Sequence, residues 1–156
     1  MDARRLLALL ALFTAPGLAL ASTPVVIQRV IPYADGVGNA NLRAKCDWNR
    51  RLSDEIVADA KGRVAATDQD PATAAGPYLQ MTIVSAHATG GALFAGPKWA
   101  RVKGELFDHG KLLGSFMAQR STTGGWSACG AVDRIGKEMA GDIVEWLREP
   151  TMDARL

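Results

Sequence analysis

The sequence predicts an α+β domain: a mostly antiparallel sheet of four to five strands with two amphipathic helices packed on one face. Three observations lead there. Two segments carry apolar residues at helical spacing, one beginning near Asp47 and one ending before Pro150. Three consecutive segments, beginning at Tyr78, Lys98 and Lys111, have the pattern and turns of strands. The order is strand, helix, short strand, three longer strands, helix, which separates the helices from a hairpin-connected sheet.

Each element has its own justification. "PVVIQRVIP", residues 24–32, is a nearly continuous apolar run between prolines, expected as an inner strand. "YADGVGNANLRAKC" reads as a long Gly/Asn loop. In "DWNRRLSDEIVADAKGR", Asp47 is the expected N-cap, and Trp48, Leu52, Ile56 and Ala60 form one apolar stripe beside Val57. Arg50, Arg51, Asp54, Glu55 and Asp59 take the other side, and Gly62 ends the helix. "RVAATD" is a short strand and "QDPATAAGP" a turn-rich loop.

"YLQMTIVSAHA" alternates, with Leu79, Met81 and Ile83 on one face. "KWARVKGELFD" places Ala100, Val102, Gly104 and Leu106 on one face. Trp99, Arg101, Lys103, Glu105 and Phe107 take the other. "DHGK" is a tight turn into the return strand "KLLGSFMAQRS". After a Gly/Ser/Thr loop, Val132, Ile135, Met139, Ile143 and Trp146 mark the last helix, and Pro150 stops it. The organisation expected is a signal peptide over 1–21, one α+β domain over 22–149 and a loose tail over 150–156.

The first segment has the form of an export signal. Arg4 and Arg5 precede an apolar run, and Ala19-Leu20-Ala21 supplies the small residues that signal peptidase needs. Cleavage after Ala21 would leave Ser22 first. The run is too short to span a bilayer comfortably, Pro16-Gly17 breaks it, and no later stretch is long and apolar enough to span. No cysteine stands directly after the cleavage site, so a lipid anchor is not expected, although outer-membrane association stays open. The location expected is the periplasm.

Composition narrows the partners. The chain carries a formal charge of +2, which falls to +1 once Asp2, Arg4 and Arg5 leave with the signal. A dedicated nucleic-acid binder would show a concentrated basic footprint. Both cysteines, Cys46 and Cys129, lie in the mature part, where an oxidising compartment makes a disulfide the simplest reading. The rival is two separate thiols, each near a helix start that would lower its pKa.

The segment "GPKWARVKGELFDHGKLLGSFMAQRSTTGGW" and the helix after it resemble a group of small exported bacterial proteins, domain of unknown function 4410. The matching residues are Val102, Gly104, Leu106, Asp108, Gly110, Lys111, Leu113, Gly124, Gly125, Trp146 and Leu147. The order of elements is also similar to envelope domains of the YajG and TolB N-terminal type. The resemblance implies an envelope α+β domain with no established enzymatic role. Its motifs are turn and packing residues, with low specificity for any activity.

Candidate chemistry is sparse. "GGALFAGPK", residues 90–98, has the glycine spacing of a phosphate loop. However, Pro97 stands in the lysine position and a strand follows where a helix is required. "DGVGNAN" begins a dinucleotide fingerprint, but Asn41 replaces its third glycine. His87 and His109 lack partners at metal-ligand spacing, and Ser85 with His87 lacks the rest of a triad. No metal, cofactor or catalytic residue is assigned.

The expected contact surface is Trp99, Arg101 and Lys103 on one strand face, with Leu93 and Phe94 at the tip of the preceding loop. The function expected is a non-catalytic envelope binding or assembly component, whose partner is an envelope protein or an anionic envelope polymer. The alternative is a small periplasmic hydrolase or thiol-dependent enzyme using His87 or a cysteine.

Overall fold

The computed structural model describes residues 23–38, 40–88, 96–124 and 127–156. The proposed signal, 1–21, lies outside them, as do Leu93 and Phe94. The chain runs β1 (Val25–Gln28), α1 (Ala40–Lys45), α2 (Trp48–Asp59), β2 (Val64–Thr67), β3 (Tyr78–His87), β4 (Lys98–Asp108), β5 (Lys111–Thr122), α3 (Ala128–Trp146) and β6 (Ala154–Arg155). The strands form one sheet in the order β2-β1-β3-β4-β5-β6.

The fold is α+β, but the sheet is mixed and larger than expected. β3–β4 and β4–β5 pair antiparallel, as the alternation and the 108–111 turn predict. β1 pairs parallel with both β2 and β3, and β6 parallel with β5. The β1–β2 pair has α2 in its connection, the crossover that a parallel pair requires. Among the described residues there are three helices instead of two. The extra one, α1, lies in the segment read as a loop.

The residues after Pro150, expected as a loose tail, bond to β5. The Ser115 N–H donates to the Thr151 carbonyl at 3.0 Å, and the Gln119 N–H to the Leu156 carbonyl at 2.9 Å. Six residues are enough to reach the edge of β5, and its unpaired backbone groups provide the reason to stay.

β1 is an inner strand, but it stops at Gln28 because the chain bends there. The Gln28 side chain continues the pairing: its amide nitrogen donates to the Met81 carbonyl at 3.0 Å, and its oxygen accepts the Met81 N–H at 3.1 Å. Helix α2 meets the backbone groups that the bend exposes. Ser53 donates from its hydroxyl to the Gln28 carbonyl at 2.8 Å, and Asn49 donates to the Ile31 carbonyl at 3.2 Å. A fully buried serine on an otherwise apolar helix stripe is explained by that bond. The chain then rejoins β3 at Tyr33, beside Ile83.

Both helical stripes are buried as their spacing predicts. Trp48, Leu52 and Ile56 of α2 and Val132, Ile135, Met139 and Ile143 of α3 are at most 1% exposed. They pack on the sheet face formed by Ile27, Leu79, Met81, Ile83, Ala100, Val102 and Phe116. Asp47 occupies the N-cap position of α2, yet its side chain makes no capping bond. Ser127 does cap α3, accepting the Gly130 N–H at 3.0 Å. Lys61 and Gly62 turn left-handed after α2, at φ +49° and +86°.

Phe116 sets a steric condition on its cross-strand neighbour. It pairs with Gly104 and meets Trp146 edge-on at 4.9 Å between ring centroids. A Cβ on Gly104 would lie 2.2 Å from the ring, so the glycine here makes room for an aromatic side chain.

Candidate functional site

The sheet face away from the helices is open and carries the residues singled out from the sequence. Alternation along β4 puts Trp99, Arg101 and Lys103 there, while Ala100, Val102 and Leu106 go into the core. The register sets their neighbours. Trp99 stands opposite His87 and Ser121, Arg101 opposite Ser85 and Gln119, and Lys103 opposite Thr82 and Met117.

The side chains interlock across the strands. The rings of His87 and Trp99 stack at 5.8 Å with 21° between planes. The guanidinium of Arg101 lies over the Trp99 ring at 5.9 Å, and its Nε donates to Gln119 Oε1 at 2.5 Å. Lys103 pairs with Glu105 at 2.9 Å, which cancels its charge locally. Toward the other end of β4, Tyr78 and Phe107 stack at 5.1 Å. Trp99 is thus flanked by the His87 ring and the Arg101 guanidinium. Arg101 is the cation of the group with no carboxylate partner among the described residues.

His87 lies beside Trp99 across the β3–β4 pair. Its exposed ring stacks on Trp99 at the end of β3, a strand that lies between β1 and β4, and Ser85 pairs with Arg101 on the neighbouring strand. The sequence reading missed His87 as part of the Trp99 group, because cross-strand register is not visible in either strand alone.

Cys46 and Cys129 are disulfide-bonded, with Cα atoms 5.0 Å apart. The bond joins the α1–α2 junction to the first turn of α3, so neither sulfur is a thiol. Lys98 opens β4, so a strand follows "GPK", as the sequence reading required. Gly36 and Gly38 are left-handed, and the space beside Gly38 is bounded by Tyr33, Leu42 and Arg43. That is a packed turn. Among the described residues no group of three or more His, Cys, Asp and Glu could hold a metal ion. No helix among them is long and apolar enough to cross a membrane.

Fold and face together define a two-layer α+β domain with one covered and one open sheet face. No protein-family model matches the chain, and no curated protein matches it. Solved structures do match. One is the PelC dodecamer from Paraburkholderia phytofirmans in space group P6, with a TM-score of 0.51 and 15% identity, covering 83% of this chain and 92% of that one. Another is a single-substitution variant of PelC from the same organism, also a dodecamer, in space group C2. It has a TM-score of 0.51 and 11% identity, covering 78% of this chain and 84% of that one. At these identities the likeness is one of fold.

Proposed function

We propose that the protein is an exported, non-catalytic component of the bacterial envelope that works by assembling, with copies of itself joined edge to edge. The observation that carries this reading is the fold, shared over most of both chains with a protein solved as a dodecamer. The export-type N-terminal segment and the resemblance to exported proteins of domain of unknown function 4410 support the compartment.

Two surfaces divide the work. Leu112, Leu113 and Met152 are large apolar side chains left exposed along the β5–β6 edge. Thr151 holds the tail against Ser115 there, so these residues belong to one side of the molecule. Grouped apolar exposure at a sheet edge is what a neighbouring copy would cover. The open face with Trp99 and Arg101 is left for an envelope partner or an anionic polymer.

Light scattering on the purified protein tests the reading. The expected result is a defined mass many times that of one chain, reduced to the monomer by Leu113→Glu with Met152→Glu. A monomer at high micromolar concentration, with a folded circular dichroism spectrum, would refute it. For the second surface, envelope material captured by the wild type should be lost with Trp99→Ala/Arg101→Ala. Recovery of the same partners by that variant would exclude the face.

A further inference from the structure

The outer edge of β5 is shaped to take a strand, and residues 151–156 fill it. The Ser115 N–H donates to the Thr151 carbonyl at 3.0 Å, the Leu156 N–H to the Met117 carbonyl at 3.1 Å, and the Gln119 N–H to the Leu156 carbonyl at 2.9 Å. The two strands run parallel, with Phe116 beside Ala154 and Met117 beside Arg155.

Two residues of β5 fit this use. Ser115 is a polar side chain only 8% exposed. Its oxygen accepts the Asp153 N–H at 2.9 Å, and its hydroxyl donates to Asp153 Oδ1 at 3.3 Å, so the segment meets the needs of a buried serine. Gly114 lets the chain cross β5 closely. A Cβ there would lie 3.1 Å from both Pro150 Cβ and the Thr151 carbonyl oxygen, and 2.8 Å from Trp146 Cζ2.

The segment itself is lightly held. Thr151, Met152, Asp153 and Arg155 are exposed, while Ala154 and Leu156 pack on the core partly buried. Asp153 is left-handed at φ +53°, which is costly for a residue with a Cβ. Arg148, Glu149 and Pro150 alone link it to the C-cap of α3 at Leu147. A segment with edge hydrogen bonds and little apolar burial opens more readily than the core strands. Opening bares the β5 backbone beside the exposed Leu112 and Leu113, an edge that can pair with another chain.

We propose that the outer edge of β5 is a strand-acceptor surface for residues 151–156, and that neighbouring copies exchange this segment, each docking it on the β5 of the next. Every copy carries the same segment and the same edge, so docking between copies keeps the bonds described above. A terminal element on a short link, held by contacts that any copy can supply, is suited to such exchange. Passed on in one direction, the contact is head-to-tail and repeats from copy to copy. The proposal rests on the self-assembly reading and names the contact that joins the copies.

Single-cysteine chains test it, because their added thiols can be joined only between copies. Isotope-labelled Ser115→Cys and unlabelled Asp153→Cys proteins are refolded together from urea and bridged with a short bis-maleimide, and mass spectrometry measures the mixed 115–153 pair. A control mixture uses Glu138→Cys, exposed on α3, in place of Ser115→Cys. The 115–153 pair should exceed the control about tenfold or more, since docking raises the local concentration of the two thiols. Independently of cysteine, Asp153→Pro lacks the bonded N–H and cannot adopt φ +53°. It should raise hydrogen exchange at the Ser115 and Gln119 amides and lower the mass found by light scattering. Multimers without the mixed pair, or an unchanged mass in Asp153→Pro despite faster exchange, would overturn the proposal and leave self-assembly standing. Wild-type monomers without the pair would overturn both.

Discussion

Removing the Cys46–Cys129 bond should cost this domain a large fraction of its stability. The bridge closes a loop with a sequence separation of 83, just over half of the 156-residue chain. In the chain-entropy treatment, a loop of that length restricts the unfolded chain by about 4–5 kcal/mol at 25 °C. Marginal domains have only about 5–15 kcal/mol in total. Cys46 is 5% exposed and belongs to the core, so alanine is a better replacement than serine, whose hydroxyl would need a partner.

The assay is urea unfolding of the oxidised wild type, the reduced wild type and Cys46→Ala/Cys129→Ala. Each bond-free form should lose about 4 kcal/mol, with a fall in Tm on the order of 10–20 °C. The slope against urea should rise, because the unfolded chain expands once the cross-link is gone. The two single alanine variants should match the double variant. A loss below about 1 kcal/mol with an unchanged slope would refute the reasoning, since the bond would then not restrict the unfolded state.

Three further outcomes are expected. Gly104→Ala should destabilise by about 1–3 kcal/mol, because its methyl group meets a Phe116 ring already pinned by Trp146; adding Phe116→Leu should recover part of the loss on thermal melting. Gln28→Leu should cost about 1–3 kcal/mol in urea, by leaving the Met81 N–H and carbonyl unpaired, with hydrogen exchange rising first at Met81. Burial raises the Tyr33 hydroxyl above its ordinary pKa of 10.0, against the opposing pull of Trp48 and Arg43. The folded state then holds that proton more tightly than the unfolded chain. Its contribution is therefore complete below about pH 10 and is lost as pH rises through the higher folded value. Phenolate absorbance should show Tyr33 titrating late, and Tyr33→Phe should flatten alkaline unfolding.

Much of this architecture was legible in the chain because it depends on local periods. Trp48, Leu52 and Ile56 repeat at helical spacing and are all buried, and the bounds of β4 follow its alternation. The placement of Trp99, Arg101 and Lys103 on one face also follows from a period of two, which any strand obeys. Cys46 and Cys129 could be paired on count and compartment alone, and the bond is present.

Other features depended on partners distant in sequence. Nothing within "PVVIQRVIP" says that its strand ends at Gln28, because the bend is supported by Ser53, Asn49 and Met81. Nothing in the last six residues says that they form β6, because the reason lies in the unpaired edge of β5. His87 meets Trp99, and Lys98 stands opposite Thr122, only when the strand register is fixed. The sequence by itself determined the fold class, the two buried helix stripes, the two faces of β4 and the cysteine pair, since these follow from local periodicity and composition. Only the tertiary structure decided the parallel pairings, the third helix, the docked tail and the neighbours of each charged side chain, because those are set by backbone groups and charges that find their partners across the fold.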